Sequence, residues 1–184
     1  MPYSVKPTSL NGVLLLEPKV FSDVRGFFFE SFNQLEFEKA TGLNPVFVQD
    51  NHSLSQQGVL RGLHFQKQYP QGKLIRVVRG EIFDVTVDIR PESAQYGHWT
   101  SAHLSAENHR QLWIPPGFAH GFLVLSEQAE VIYKTTDYWV ANDEDAIIWN
   151  DADLGIEWPL NLIQGAPQLS GKDAAARAFK SQRG

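Results

Sequence analysis

The sequence predicts an all-β fold, a β-sandwich or small barrel. Short runs of alternating apolar and polar residues recur with turn residues between them, and helical signals are confined to one place near each end. The 5 Trp and 12 Phe supply the aromatic content that pleated surfaces favour. A chain of 184 residues suits a single domain, residues 1–184, with a core of its own. A barrel of this size can enclose one small-ligand pocket.

From the N-terminus, residues 13–17 form a short apolar strand stopped by Pro18. Asp23-Val-Arg-Gly26 is a turn, and residues 27–31 a strand with Phe28 and Glu30 on one face. Residues 32–42 carry a helix. Asn33 can cap it, Glu36 takes its third position, Phe32 and Phe37 are spaced as a hydrophobic staple, and Gly42 closes it. Alternation over residues 46–51 puts Phe47, Gln49 and Asn51 on one side of a strand.

Residues 73–79 and 81–90 flank Gly80 as the arms of a hairpin. The second arm alternates Phe83, Val85, Val87 and Ile89 with Asp84, Thr86 and Asp88. If that polar face lines the interior, its carboxylates need His or Lys partners. Residues 98–104 and 110–114 are further strands, and 118–125 with 129–136 make a second hairpin around Ser126-Glu-Gln128. A short strand over 146–149 and an irregular stretch over 151–167 follow. Ser170 and Asp173 then have the spacing of a capping box at a terminal helix.

Composition narrows the function. The net charge of −5 argues against general nucleic-acid binding, so an anionic ligand must meet a local group of cations. Cys is absent, which removes disulfides, thiolate metal sites and cysteine nucleophiles. No apolar run approaches the ~20 residues of a membrane helix, and the first ten residues lack a secretory pattern. A cytoplasmic protein is expected.

The chemistry concentrates in Gly58-Val-Leu-Arg-Gly-Leu-His-Phe-Gln66 and Gly72-Lys-Leu-Ile-Arg76. Arg61, His64 and Lys73 combine a fixed anion binder, a proton carrier near neutral pH and a point charge. Strict alternation, however, puts Arg61 and His64 on opposite faces, so they share a pocket only if the strand bulges or begins after Arg61. Taken singly, His64 could be a satisfied core histidine, Lys73 a surface lysine, Tyr133 a packed aromatic and Asp173 a helix cap.

Pro115-Pro-Gly-Phe-Ala-His120 matches a run that, in the cupin superfamily, turns His into a barrel. A metal-binding cupin would offer His-x-His with a nearby Glu. Here Gln66 occupies the second His position and no Glu follows it before Glu81, so His64 and His120 make a poor metal site. No phosphate loop, nucleophile elbow or dinucleotide fingerprint occurs. Arg25, Arg61, Gln49 and Asn51 are the candidates to clamp an anion.

Several long runs resemble the dTDP-4-dehydrorhamnose 3,5-epimerase family: Asp23-Val-Arg-Gly-Phe-Phe-Phe-Glu-Ser31, Phe47-Val-Gln-Asp-Asn-His-Ser53, Val59-Leu-Arg-Gly-Leu-His-Phe-Gln66, Gln71-Gly-Lys-Leu74 and Trp113-Ile-Pro-Pro-Gly-Phe-Ala-His-Gly121. Tyr133-Lys-Thr-Thr136, Ile148-Trp-Asn-Asp151 and Leu169-Ser-Gly-Lys-Asp173 extend the match over residues 13–173. The resemblance implies a metal- and cofactor-independent cupin barrel or jelly roll, commonly a homodimer. It epimerises C3 and C5 of dTDP-4-dehydro-6-deoxy-D-glucose on the route to dTDP-L-rhamnose. It further implies His64 as base, Tyr133 as acid on the opposite sugar face, Asp173 orienting His64, and Lys73 at the keto oxygen. Arg25, Glu30, Gln49, Asp50, Asn51, Arg61, His120, Glu144 and Lys172 would complete the substrate site. A related enzyme that epimerises one carbon or shifts the ketone, and a noncatalytic sugar-nucleotide barrel, are the alternatives.

Overall fold

The computed structural model describes residues 3–180. Thirteen strands are arranged mainly in two antiparallel sheets, and two short helices sit near the ends. The larger sheet has the order β1 (Tyr3–Pro7), β2 (Leu14–Pro18), β10 (Gln111–Ile114), β7 (Lys73–Arg79), β12 (Gln128–Thr135) and β5 (Gln49–Gln56). The smaller has the order β13 (Glu144–Ala146), β6 (Leu60–Gln66), β11 (Phe118–Val124), β8 (Glu81–Asp88) and β9 (Trp99–Ser105). A separate hairpin pairs β3 (Phe21–Asp23) with β4 (Gly26–Phe28). This is a cupin-type jelly roll.

Both expected hairpins prove to be crossings between sheets. β7 belongs to the larger sheet and β8 to the smaller, and β11 and β12 divide in the same way. Gly80 makes the first crossing possible: its φ is 72°, and a Cβ there would lie 1.9 Å from the carbonyl oxygen of Gln128. Ser126 joins the two connections, its hydroxyl accepting from the Glu81 amide and donating to the Gln128 carbonyl. Turn residues signal a change of direction, not whether the chain returns to the same sheet.

The inner faces enclose Ile75, Val77, Leu112, Ile114 and Val131 from the larger sheet with Ile82, Leu104, Phe122 and Val124 from the smaller. The outer face of the smaller sheet is covered as well. There Phe83, Val85, Val87 and Leu123 pack against Leu154, Trp158, Ile163 and Phe179 of the mostly irregular C-terminal segment. β8 is therefore buried on both faces, and Asp84, Thr86 and Asp88 face inward rather than into solvent.

Helix α1 (Gln34–Thr41) covers part of the larger sheet's outer face, with Phe37 fully buried against Tyr3, Leu16, Leu74 and Trp113. Burying such a ring contributes roughly 2–3 kcal/mol. The expected ends hold: the Asn33 side chain accepts from the Glu36 amide, Gly42 takes the left-handed conformation, and the Phe32 and Phe37 rings lie 6.2 Å apart. Phe47 departs from expectation. The strand begins only at Gln49, and Phe47 packs edge-on to Phe37 and Trp113 beneath α1, away from Gln49 and Asn51. The terminal helix α2 is a single turn, Gly171–Ala174, capped by Ser170.

Candidate active site

The interior of the jelly roll holds a cavity of about 320 Å³ at one end. Arg61, His64 and Gln66 of β6, Lys73 of β7, His120 of β11, Tyr133 of β12 and Glu144 of β13 line it. The conflict over Arg61 is resolved by a bulge. His64 pairs with His120 and Arg61 with Phe122, so Gly62 and Leu63 together oppose Gly121 alone. The extra residue turns Arg61 and His64, three apart, into one cavity. The backbones touch at this point, since a Cβ on Gly62 would lie 2.5 Å from the Gly121 Cα. Two facing glycines permit the bulge.

His64 is anchored from behind. Its Nε2 lies 2.6 Å from Asp173 Oδ1, and Ser170 donates its hydroxyl hydrogen to Asp173 Oδ2 at 2.8 Å. Asp173 therefore combines the capping geometry with a contact that capping alone does not require. Burial opposes its ionisation, but the hydrogen bonds from His64 and Ser170 outweigh this and hold its carboxyl below the ordinary range. An ionised carboxylate can only accept, so His64 carries its hydrogen on Nε2 and leaves Nδ1 free to take a proton.

Lys73 stands at the start of β7, and burial lowers its ammonium to about 8 against the counteracting fields of Glu144 and Asp84. Burial, reinforced by Glu144, raises the Tyr133 phenol, while Arg61 acts the other way. Tyr133 thus stays protonated through the physiological range. Glu144 is half-buried; hydrogen bonds from Lys172 and Trp139 outweigh its burial and keep it ionised. Arg61 is steadied by donating from Nε to Ser55 Oγ. The cavity thus brings two imidazoles, a neutral phenol and the cations Arg61 and Lys73 into one small volume.

The family model for dTDP-4-dehydrorhamnose 3,5-epimerase matches residues 7–181. A protein of that name from Salmonella typhimurium is 59% identical over 170 residues, 92% of this chain and 91% of its own. The crystal structure of a dTDP-6-deoxy-D-glucose-3,5-epimerase from Legionella pneumophila, in complex with dTDP-4-keto-L-rhamnose, superposes with a TM-score of 0.92. It is 49% identical, with 97% of this chain and 93% of that one covered. The chain belongs to the dTDP-4-dehydrorhamnose 3,5-epimerase family. A 3'-monoepimerase from Streptomyces bikiniensis, in complex with dTDP-quinovose, is also similar: 31% identity, TM-score 0.89, covering 96% of this chain and 88% of that one.

In this epimerase-family chain the remaining expected residues lie in four places. Lys172 is at the rim, bonded to Glu144. Gln49 and Asn51 bond to each other on the inward side of the edge strand β5, and Gln49 Oε1 accepts from the Trp139 amide. Asp50 points the other way, as strand parity demands, and pairs with Lys134 on the outer face beside Arg76. Arg25 is on the β3–β4 turn, paired with Asp23 and largely exposed, and it does not line the cavity of its own chain. Neither does Glu30, which follows that hairpin.

Other lining residues gave no warning in the sequence. Trp139, Gln71 and Ser53 line the cavity, and Gln71 ties the chain by donating to the Asp137 carbonyl. Gln66, at the position where a metal-binding cupin would place His, serves as an anchor. Its amide donates to the carbonyls of Tyr69 and Tyr138, and its oxygen accepts from the Val140 amide. Among the described residues, no three His, Asp or Glu side chains gather to hold a metal.

Proposed function

We propose that this chain epimerises C3 and C5 of dTDP-4-dehydro-6-deoxy-D-glucose to give dTDP-4-dehydro-L-rhamnose, through enolate intermediates and without metal or cofactor. The observation that carries this reading is the convergence of His64, backed by buried Asp173, with Lys73 and Tyr133 in one cavity. His64 Nδ1 takes the proton from the carbon beside the ketone. The electron pair moves onto the carbonyl oxygen, where Lys73 stabilises the enolate by on the order of 3 kcal/mol, the worth of one well-placed donor. Tyr133 returns a proton to the same carbon from the opposite face, which inverts it. Once His64 has released its proton to solvent and Tyr133 has regained one, the same steps at the second carbon complete the reaction.

Arg61, with Gln49 and Asn51 at the rim, holds the diphosphate in this reading; His120, Glu144 and Lys172 hold the sugar side. We place the protein in the cytoplasm as a homodimer of single-domain chains. The exposed β3–β4 hairpin, which presents Phe21, Phe27 and Phe28, supports the dimer. Arg25 and Glu30 then serve a partner's cavity. Asp50, turned to the outer face, contributes through its backbone and its Lys134 pair.

Incubation of the keto sugar nucleotide with the protein in D₂O, followed by NMR, tests the assignment. Deuterium is expected at both C3 and C5. Incorporation at one carbon alone would favour the single-carbon reading, which the likeness to the 3'-monoepimerase keeps in view. No incorporation at either would sink both.

A further inference from the structure

The carboxylate behind His64 is delivered by a segment with little hold of its own. His120 Nε2 lies 2.8 Å from Asp84 Oδ2, and the ladder between β11 and β8 fixes both of those residues. Asp173 has no such ladder. It sits in the one-turn helix α2, and a helix that short is marginal without outside support. From Leu169 to Ala176 the backbone–backbone hydrogen bonds stay within the turn: Ala174 donates to Ser170, Ala175 to Gly171 and Ala176 to Asp173.

The strap from Gln168 to Phe179 is pinned to the barrel on either side of that turn. Upstream, the Leu60 amide donates to the Gln168 carbonyl at 3.0 Å and the Gln168 amide to the Gly58 carbonyl at 2.8 Å. Downstream, the Ile148 amide donates to the Arg177 carbonyl at 2.9 Å, and the Phe179 amide to Asp151 Oδ2 at 2.8 Å. Asp151 is itself buried and held, its Oδ1 accepting from the Asp153 and Leu154 amides. The Phe179 ring lies against Tyr96, with centroids 4.9 Å apart, and over Gly97, where a Cβ would come within 3.0 Å of it. Gly97, at a φ of 80°, leaves the seat open.

Between Gly165 and Lys180 only two side chains are buried, Asp173 behind His64 and Phe179 on the outer face of the smaller sheet. Burying a carboxylate costs free energy that its hydrogen bonds must offset, so Asp173 is a weak anchor for the strap. Burying the ring is favourable in itself. We propose that Phe179, seated against Tyr96 and Gly97 and tied to Asp151, is a positioning residue for the reaction: it latches the strap so that Asp173 stays on His64. The proposal rests on the epimerase reading above, in which His64 is the base, and deepens it. When the latch opens, the turn loses its downstream pin, and the ring that takes the proton loses its anchor for part of the time. Phe179 does not line the cavity, so it acts through Asp173 and not on the substrate.

The test is a double-mutant cycle on kcat at saturating substrate, built from Phe179→Ala and Asp173→Ala. Phe179→Ala alone should lower kcat by about tenfold or more, part of the roughly 10²- to 10⁴-fold that a general base contributes. In the Asp173→Ala background the same change should cost less than about twofold, because no carboxylate is left to position. A merely structural role would cost the same factor in both backgrounds. That result, or an unchanged kcat in folded Phe179→Ala protein, would overturn the proposal. If the variant does not fold, amide hydrogen exchange in wild type decides. Ala174, Ala175 and Phe179 should share one protection factor, as a unit that opens together. Ala174 and Ala175 protected well beyond Phe179 would show the turn still seated with the latch open, and would refute it. Failure of the underlying epimerase reading is distinct, since wild type itself would then incorporate no deuterium.

Discussion

His64 and His120 stand opposite each other on neighbouring strands, each hydrogen-bonded to a carboxylate, yet the two pairs are built differently. The His64 side chain is 31% exposed, and its partner Asp173 comes from a one-turn helix near the far end of the chain. The His120 side chain is only 10% exposed, and Asp84 lies on the adjacent strand with no exposure at all. A group that must exchange protons with a substrate benefits from an open ring face and an anchor reached from outside the sheet. A group that holds a charge pattern in place benefits from burial, where electrostatic effects are strongest. The same residue pair thus suits proton transfer in one position and fixed polarity in the other.

The largest expected effect breaks the exposed pair. His64→Ala should reduce kcat by about 10³-fold, within the range of a lost general base, while dTDP binding measured by calorimetry changes little. Retained turnover would show that the base lies elsewhere, with His120 the next ring to examine.

A smaller change addresses the buried ammonium of Lys73 in the same cavity. Lys73→Met should cost about 10²-fold in kcat, the order of one lost oxyanion donor, and should make the protein more stable. Burial lowers the Lys73 ammonium from 10.5 to about 8, so the charged form is penalised in the folded state. The penalty is fully present below about pH 8 and fades as pH rises to 10.5. At pH 7 its removal should stabilise by roughly 3 kcal/mol, from about 1.4 kcal/mol per pH unit. Urea melts at pH 7 and pH 10.5 check this, and an equal gain at both would contradict burial of the charge as the cause.

The exposed pair was more legible in the sequence than the buried one. His64 had motif context, and Asp173 had a local capping signature that marked its surroundings even while it concealed its second contact. Asp84 showed only as a polar position in an alternating strand. Its partner became visible once both faces of β8 were known to be buried, and that depends on the C-terminal segment packing behind the sheet. Connectivity was the least legible feature. Gly80 and Ser126 resemble hairpin residues because turning within a sheet and crossing between sheets make the same local demands on the backbone. The strand β1 went unseen because Tyr3–Pro7 alternates weakly and only Tyr3 is buried in it. Strand parity explains Asp50: its neighbours in the motif face the interior, so it must face out.

The smallest predicted effect separates the anchor of His64 from its charge. In Asp173→Asn the amide oxygen can still accept from His64 Nε2, and the side chain can still interact with Ser170, so the ring should keep its place. What disappears is the negative charge that stabilises the imidazolium formed when His64 takes a proton. The expected outcome is a fall in kcat of about 10- to 10²-fold, at or below the lower end of the roughly 10²- to 10⁴-fold that a general base contributes, because the base itself remains. KM should change little, because the ring itself remains in the cavity. Acid sensitivity of stability should also weaken. The wild-type carboxyl is held below its ordinary range, so it stabilises the fold above the unfolded carboxylate pKa of ~3.9 and loses that contribution as pH falls through its lower folded value. The asparagine variant has no such loss, so its melting temperature should decline less steeply below pH 4. An unchanged kcat together with a lower melting temperature at every pH would reduce Asp173 to the helix cap its spacing first suggested. The same kcat loss in Ser170→Ala, which removes a partner of Asp173 but leaves the charge, would assign the effect to position rather than to charge.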